Sequence, residues 1–166
     1  ASGNVYTLGL PITGASDGTE ILSVVPIDNK IYDAVGNEAS TTQSTNTDTL
    51  FDKAAPTILS LSSTASNGNM KIREELPITI TFNETVVLSG TPQITLETGT
   101  TDAVVNYTSG SNTTVLTFTY TVATGDTSSD LDYTGTTSLA LNSGTIVDLS
   151  GNAAVLTLPV PGATNS

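Results

Sequence analysis

The sequence predicts an all-β protein, in which one complete Greek-key β-sandwich module is preceded by part of another. Short runs of alternating apolar and polar residues recur along the chain, separated by turns rich in Gly, Asn, Asp and Ser. An Asp-x-x-Gly-Asn-x-Ala pattern occurs twice, beginning at Asp33 and at Asp148, 115 residues apart. A repeat of this length, with strand-like sequence between its copies, indicates tandem β domains rather than a solenoid of short repeats.

The position of the first copy sets the predicted domain boundary. A sandwich module of this kind needs about 100 residues, and too little chain precedes Asp33 to supply them. We therefore predict that residues 1–52 are the C-terminal half of one module and that residues 53–166 form a complete one. Residues 52–56 (DKAAP) have the composition of a linker, because proline fixes φ and favours an extended conformation at the residue before it.

Three segments of the partial module have strand character. Residues 5–12 and 20–27 are short apolar or alternating runs on either side of the turn GASDG, which predicts two adjacent strands. The Thr-rich residues 40–51 predict a final, partly exposed edge strand.

The complete module contains seven strand-like segments bounded by turn residues. In residues 115–122 the even-numbered positions carry Leu, Phe, Tyr and Val, so we expect these side chains to face the core. Seven such segments with regularly spaced turns favour a Greek-key sandwich. The predicted strands are residues 58–64, 76–82, 93–97, 103–108, 115–122, 131–141 and 154–160.

Composition and charge exclude several classes of partner. The chain has 16 acidic and 4 basic residues, a net charge of −12 at pH 7. Phosphate backbones and anionic lipid surfaces are bound through Lys and Arg, so we predict neither nucleic acid nor a membrane as a partner and favour polycations or divalent metal ions. No apolar run reaches the roughly 18 residues of a membrane span. The abundance of Thr, Ser, Asn and Gly predicts an extracellular protein, with any export signal or anchor outside this sequence.

Two parts of the chain carry a family resemblance. Residues 5–37 resemble the C-terminal half of bacterial Ig-like repeats, in which a tyrosine-bearing strand and an Asp-Gly turn precede Asp-Ala-x-Gly-Asn. Residues 56–161 resemble another bacterial Ig-like or cadherin-like repeat, through PTILSLSST, ITITFNETV, GTPQITLETG, ATGDTSSDLDYTGTTSLALNSGTIVDLSGN and TLPVPG. The resemblance implies an Ig-like Greek-key β-sandwich. It also implies a stalk or spacer of a large secreted or surface-attached adhesin, a setting in which calcium often rigidifies the repeats.

Strand order predicts that distant carboxylates meet at one end of the complete module. Successive antiparallel strands reverse direction, so their loops fall alternately at the two ends of a domain. On this basis Glu84, Asp148 and Asn152 lie in loops at the end that faces the partial module, toward which Asp52 and Asp17 also point. Calcium takes six to eight oxygen ligands, and uncompensated carboxylates repel one another. We therefore predict a calcium site at this junction, formed by Asp17, Asp52, Glu84 and Asp148.

The two Asp-x-x-Gly-Asn segments have a second interpretation, which the sequence leaves open. Asp33 with Asn37, and Asp148 with Asn152, are pairs of residue types that cap their own turns, and the glycine between them can adopt a positive φ. A turn and a metal site are not exclusive, so these residues stay candidate ligands.

A further acidic cluster is predicted at the opposite end of the complete module. It consists of Asp126, Asp130 and Asp132. A solvated acidic loop explains these residues better than a metal site, although in a longer array they would meet the next module as Asp17 meets this one.

Enzymatic chemistry has little support in the sequence, which contains neither His nor Cys. The adjacent Glu74 and Glu75 would face opposite sides of a strand, and no glycine-rich phosphate loop opens a helix. We therefore predict a protein that is not an enzyme.

The predicted function is that of a calcium-stiffened structural repeat whose partners are neighbouring repeats or copies of itself. Two alternatives remain. The partial module lacks its first strands, so a neighbouring chain could complete it by strand addition and form an extracellular filament. A glycan- or ice-binding surface is the other alternative, although ordinary strand alternation explains its threonines about as well; they are Thr41, Thr45, Thr47 and Thr49.

Overall fold

The computed structural model describes residues 13–23, 32–38, 47–63, 65 and 68–166. The chain divides into two compact units, unit 1 (Ala1–Ala54) and unit 2 (Ala55–Ser166). The described residues form strands, bridges and turns, without a helix. They therefore have an all-β structure, and no helix among them is long and apolar enough to cross a bilayer.

In unit 1, two short strands form an antiparallel pair. Strand β1 (Ile21–Ser23) lies against β2 (Thr47–Thr49), with Ile21 opposite Thr49. Each strand falls within a segment that the sequence predicts to be extended. The strand predicted over residues 5–12 lies outside the described residues, as do residues 24–27 and 40–46 of the other two predicted strands.

Unit 2 is built from a curled antiparallel sheet. Its path runs β3-β4-β7-β6-β5-β8, and β9 pairs with the C-terminal part of β4. Among the described residues every pairing between these strands is antiparallel, which is consistent with a β-sandwich. The strands are β3 (Ile58–Ser63), β4 (Glu75–Ser89), β5 (Gln93–Leu96), β6 (Ala103–Ser109), β7 (Thr113–Thr121), β8 (Leu139–Ala140) and β9 (Thr145–Val147).

Strand β4 is longer than predicted because it serves two sets of neighbours. Its first half pairs with β3 and β7, and Val87–Ser89 pair with β9. The register to β7 shifts between Thr81 and Val86, which marks a bulge or irregularity where the strand changes partners. Glu84 lies at this irregularity and not in a loop between two strands. Polar residues at a bulge resemble a turn in sequence, which explains the difference.

The core of unit 2 follows the alternation of the strands. Phe118 is fully buried and meets Tyr107 edge-on, with ring centroids 6.0 Å apart and an interplanar angle of 77°. The inward face predicted for residues 115–122 is confirmed for Leu116, Phe118 and Tyr120, which are buried, while Val122 is partly buried. The first half of β4 shows the same alternation. The buried hydrophobic residues are Leu61, Leu76, Ile78, Ile80, Phe82, Val86, Ile94, Leu96, Val105, Leu116, Phe118, Tyr120, Tyr133, Leu139, Ile146 and Leu158.

The last two predicted strands are much shorter in the structure. Within residues 131–141 the strand is Leu139–Ala140, and residues 154–160 contribute a single bridge, from Val155 to Thr57. Two prolines in the C-terminal segment lack the N–H that a ladder needs, and Pro159 instead accepts a hydrogen bond from the Tyr133 hydroxyl at 2.8 Å.

Candidate metal centre

The Asp33 loop is a tight turn closed by its own carboxylate. Asp33 Oδ1 accepts the backbone N–H groups of Val35 at 2.9 Å and Asn37 at 2.8 Å, and Oδ2 accepts Asn37 Nδ2 at 2.8 Å. Gly36, at φ 89°, donates its N–H to the Asp33 carbonyl. The flanking residues Tyr32 and Glu38 form an antiparallel bridge. This positive φ explains why the pattern carries glycine at its fourth position.

The Asp148 loop repeats this arrangement. Asp148 Oδ1 accepts the N–H groups of Ser150 and Asn152, both at 2.8 Å, and Oδ2 accepts Asn152 Nδ2 at 2.6 Å. Gly151 has φ 91° and donates its N–H to the Asp148 carbonyl. An antiparallel bridge joins the flanking positions 147 and 153. The turn interpretation of both segments is therefore confirmed, and the sequence repeat is also a structural repeat.

The two loops differ in burial and agree in the direction of their pKa shifts. Asp33 is exposed, whereas Asp148 is 3% exposed. Hydrogen bonds from the side chain and backbone of Asn37 hold the pKa of Asp33 below 3.8. Burial raises the pKa of Asp148, but hydrogen bonds from Asn152 and the loop N–H groups outweigh it and leave this pKa also below 3.8. Both carboxylates are thus ionised at neutral pH.

We expect the free energy of unfolding of unit 2 to decrease as the pH falls below about 4. A carboxyl group whose pKa is lower in the folded state contributes stability that is complete above its unfolded pKa and is lost as the pH falls through its folded pKa. Asp148 and Asp126 both belong to this class. Urea unfolding followed by NMR of unit 2 between about pH 6 and pH 2.5 measures the effect. The variant Asp148→Asn should show a shallower pH dependence, and equal slopes for both proteins would contradict the assignment.

The structure brings Glu84 and Asp148 together within unit 2. One carboxylate oxygen of each lies within 4.8 Å of the other. Two like charges at this distance repel by about 1 to 3 kcal/mol, depending on the effective dielectric. The hydrogen bonds of the Asp148 loop use three of the roughly four acceptor sites of the Asp148 carboxylate.

Asn83, next to Glu84, holds the residue that precedes β3, because its Oδ1 accepts the Thr57 N–H at 2.6 Å.

The paired carboxylates fit a hard cation by their chemistry. Calcium prefers oxygen ligands, and carboxylates are the usual source of negative charge around it. Glu84 is half-buried and Asp148 is buried, so their mutual repulsion is screened less than it would be on an open surface. A divalent cation at this pair would remove that repulsion.

In unit 1, the turn at Asp17 lies against Asp52. A Cβ added at Gly18 would be 3.2 Å from the Cβ of Asp52. The hydroxyl and the N–H of Thr19 donate to Asp17 Oδ1 at 2.5 and 3.0 Å, and these bonds hold the pKa of Asp17 below 3.8. Asp52 Oδ1 accepts the Ala54 N–H at 2.9 Å. Each carboxylate therefore caps its own turn, and the two turns are in contact.

The C-terminal exit segment of unit 1, residues 50–54, is tied down by four hydrogen bonds. Leu50 N–H donates to Glu20 O at 3.1 Å. Ser16 makes the other three: its hydroxyl donates to Phe51 O, and its carbonyl accepts the N–H groups of Lys53 at 2.6 Å and Ala54 at 3.0 Å.

The exit segment of unit 2, residues 158–162, is tied down by three hydrogen bonds of its own. Leu158 N–H donates to Thr136 O at 2.9 Å, and the next residue, at 159, accepts the Tyr133 hydroxyl at 2.8 Å. Asp132 Oδ2 accepts the Gly162 N–H at 2.8 Å. Three of the four bonded positions in unit 1, at 50, 51 and 54, have bonded counterparts 108 residues later, at 158, 159 and 162, although the groups that bond them differ between the units. Both segments follow a Thr-Leu pair in the sequence, Thr49-Leu50 and Thr157-Leu158.

The three residues of the second predicted cluster have separate structural contacts. Asp126 Oδ2 accepts the Tyr120 hydroxyl at 2.5 Å, whereas Asp132 holds the exit segment of unit 2. The backbone of Asp130 is bonded to the Ser128 hydroxyl. Within the described part of the chain these three carboxylates do not form a group within 4.8 Å. These separate contacts favour an acidic loop without a metal ion over a metal site at Asp126, Asp130 and Asp132.

Comparison with known protein families, with curated proteins and with solved structures found no match.

Proposed function

We propose that this chain is a structural repeat of a bacterial extracellular adhesin or surface protein, in which it acts as a calcium-stiffened stalk or spacer. The observation that carries the proposal is the repeat of the Asp-x-x-Gly-Asn loop, which recurs in the two units with the same hydrogen bonds. Repetition of a module that contacts its neighbours is the way in which extended proteins gain length. The neighbouring modules are the proposed partners.

An Ig-like Greek-key topology is the proposed finer classification of unit 2. The seven antiparallel strands of its sheet support it, as does the strand β4, which reaches both β3 and β9. The core tyrosines add support, because Tyr133 joins its hydroxyl to the exit segment in the manner of a corner residue that anchors a loop.

Calcium is the proposed stiffening ion, with Glu84 and Asp148 as its ligands in unit 2. Their carboxylates converge, and the loop hydrogen bonds keep Asp148 ionised. Asp52 precedes Pro56 by four residues, a chain length of at most about 14 Å, so it is the nearest linker carboxylate that can join them. Asp17 is proposed as an additional ligand because its turn contacts Asp52. A bound calcium ion would supply the positive charge that draws these oxygens together and reduces the freedom of the linker.

We expect calcium to raise the melting temperature of unit 2 and to bind with measurable heat in calorimetric titration. At a free calcium concentration of 100 times the dissociation constant, the gain in stability is about 2.7 kcal/mol. The variant Glu84→Gln, which removes one charge without changing the Asp148 loop, should lose most of this gain. Glu75→Gln is the matched control, because Glu75 is an exposed residue at the other end of β4. Equal calcium responses in all three proteins, or no heat in any of them, would exclude this metal site.

The stalk function has a separate test in the flexibility of the linker. Two spin labels, one in each unit, report the distribution of distances between the units. We expect calcium to narrow this distribution for the unmodified chain and to leave it unchanged for Glu84→Gln. Calcium binding without such narrowing would retain the metal site and reject the stiffening role.

A further inference from the structure

Three segments of the chain carry the pattern Asn-x-Ser/Thr, in which the asparagine is an acceptor for N-linked sugars. They begin at Asn83, Asn106 and Asn112, and all three lie in the described part of unit 2. The pattern supplies two side-chain groups, the asparagine amide that takes the sugar and a hydroxyl two residues later that the transferase recognises. The folded chain therefore offers an acceptor only where both groups are exposed and unbound.

Two of the three patterns already use these groups in contacts between strands. Asn83 Oδ1 accepts the Thr57 N–H at 2.6 Å, which holds its amide against the residue before β3. Asn106 Oδ1 accepts Gln93 Nε2 at 2.9 Å, and the Thr108 hydroxyl donates to a backbone carbonyl of β7 at 2.9 Å. Both patterns lie within strands, β4 and β6. A sugar at either position would have to displace these contacts.

The third pattern has both groups unbound at the tip of a hairpin. Asn112 lies in the turn between β6 and β7, and Thr114 is the second residue of β7. Both side chains are exposed, and within the part of the chain that the structure describes neither makes a hydrogen bond. Asn112 has φ 64°, a conformation that asparagine adopts more readily than most residues. This backbone conformation explains an asparagine at the tip, but it does not require a hydroxyl two residues later.

The backbone of the hairpin tip is held without help from the Asn112 side chain. Asn112 N–H donates to Val86 O at 2.8 Å. The Ser111 hydroxyl accepts the Leu88 N–H at 2.9 Å, and the Ser111 N–H donates to the Tyr107 hydroxyl at 2.8 Å. A sugar on the Asn112 amide therefore leaves every one of these contacts in place.

We infer that Asn112 is a glycosylation site, at which a transferase links a sugar to Nδ2. In this reaction Nδ2 attacks C1 of a sugar that is activated as a nucleoside diphosphate or polyprenyl diphosphate ester. The C1–N bond forms as the C1–O bond to the diphosphate breaks, and the diphosphate leaves with the bonding electrons. A base of the transferase takes one Nδ2 proton. This inference goes beyond the spacer role and is independent of calcium.

A soluble transferase that recognises Asn-x-Ser/Thr tests the inference on the folded full chain, with UDP-glucose as the sugar donor. Peptide mass spectrometry measures the rate at which each asparagine gains a hexose. Each rate is divided by the rate for a synthetic peptide of the same pattern, which removes the preference of the enzyme for local sequence. We expect the corrected rate at Asn112 to be at least about tenfold higher than at Asn83 or Asn106, which must first be released by local opening. Corrected rates that are equal at the three sites, or lowest at Asn112, would overturn the inference.

Two substitutions of Thr114 separate recognition of the pattern from an effect on folding. Thr114→Val keeps the β-branched shape and removes the hydroxyl, so we expect no hexose at Asn112. Thr114→Ser keeps the hydroxyl and should keep the reaction. Peptide mapping of the chain isolated from the organism that produces it should find a sugar on Asn112. An unmodified Asn112 in that material, or a reaction that persists in Thr114→Val, would show that the inference is wrong.

Discussion

Replacing Asp148 with alanine is expected to lower the free energy of unfolding of unit 2 by about 3 kcal/mol. The substitution removes a buried carboxylate that accepts two backbone N–H groups and the Asn152 side chain. Hydrogen bonds to a charged group contribute about 1.5 to 3 kcal/mol each, and donors left without a partner in a buried site add to the loss. Urea unfolding of unit 2, at neutral pH and without calcium, measures the change.

Asp33→Ala is the matched control, because Asp33 makes the same hydrogen bonds in an exposed loop. Water can replace the lost acceptor there, so we expect a much smaller effect on the stability of unit 1. Similar losses of unfolding free energy in the two units would show that burial does not determine how much the loop carboxylate stabilises its unit. Asp148→Asn should fall between wild type and alanine, since it keeps an acceptor oxygen and removes the charge.

Phe118→Ala is expected to have the largest effect on stability, a loss of about 4 kcal/mol in unit 2. The phenyl ring is fully buried in β7 and packs edge-on against Tyr107. Its strand pairs with both β4 and β6, so the cavity would open between three strands whose backbone is fixed by hydrogen bonds. Such a site relaxes poorly, and the cost of the cavity adds to the lost transfer free energy.

Phe51→Ala provides the comparison for this substitution. Phe51 is 87% exposed, so its replacement should change stability by no more than about 0.5 kcal/mol. Thermal unfolding followed by NMR signals of each unit separates the two effects. A loss below about 2 kcal/mol for Phe118→Ala would mean that neighbouring side chains refill the space, contrary to the packing described above.

The central strands of unit 2 were predictable because their two faces differ so strongly. In β7 the buried residues Leu116, Phe118 and Tyr120 alternate with Thr117 and Thr119. A period of two indicates a β-strand, because successive side chains of a strand point to opposite faces of the sheet. The strands β5 and β6 were found for the same reason, with turns of Gly, Ser and Asn at their ends. Local sequence was sufficient to predict a strand where one of its faces is buried and the other is exposed to solvent.

The shorter strands were not predictable at the same level. Strand β9 has three residues between a turn and the Asp148 loop, too few for a period to be recognised. The C-terminal segment contains enough apolar residues to suggest a strand, but it is held mainly by the Tyr133 and Asp132 side chains and the Thr136 carbonyl. Side-chain tethers of this kind depend on tertiary contacts, which leave no periodic signal.

The capped turns of the candidate site were predictable from the sequence, but the way in which Glu84 reaches Asp148 was not. The spacing of Asp, Gly and Asn indicated a capped turn, because each residue type has a specific role in the backbone conformation. The proximity of Glu84 to Asp148 depends on the pairing of β9 with the end of β4, a contact between segments about sixty residues apart. The sequence grouped these two carboxylates by loop order, although Glu84 reaches its place from within a strand.

A parallel bridge between the entry and the exit of unit 2 has a mechanical consequence. Thr57 at its entry runs beside Val155 near its exit, and Val155 N–H donates to Pro56 O at 2.8 Å. Tension applied to the two ends of this unit pulls these parallel neighbours in opposite directions along their own axes. The bond between them is then loaded in shear, together with the surrounding side-chain contacts, instead of being peeled open from one end. A domain joined in this way resists extension at the place where the force enters it.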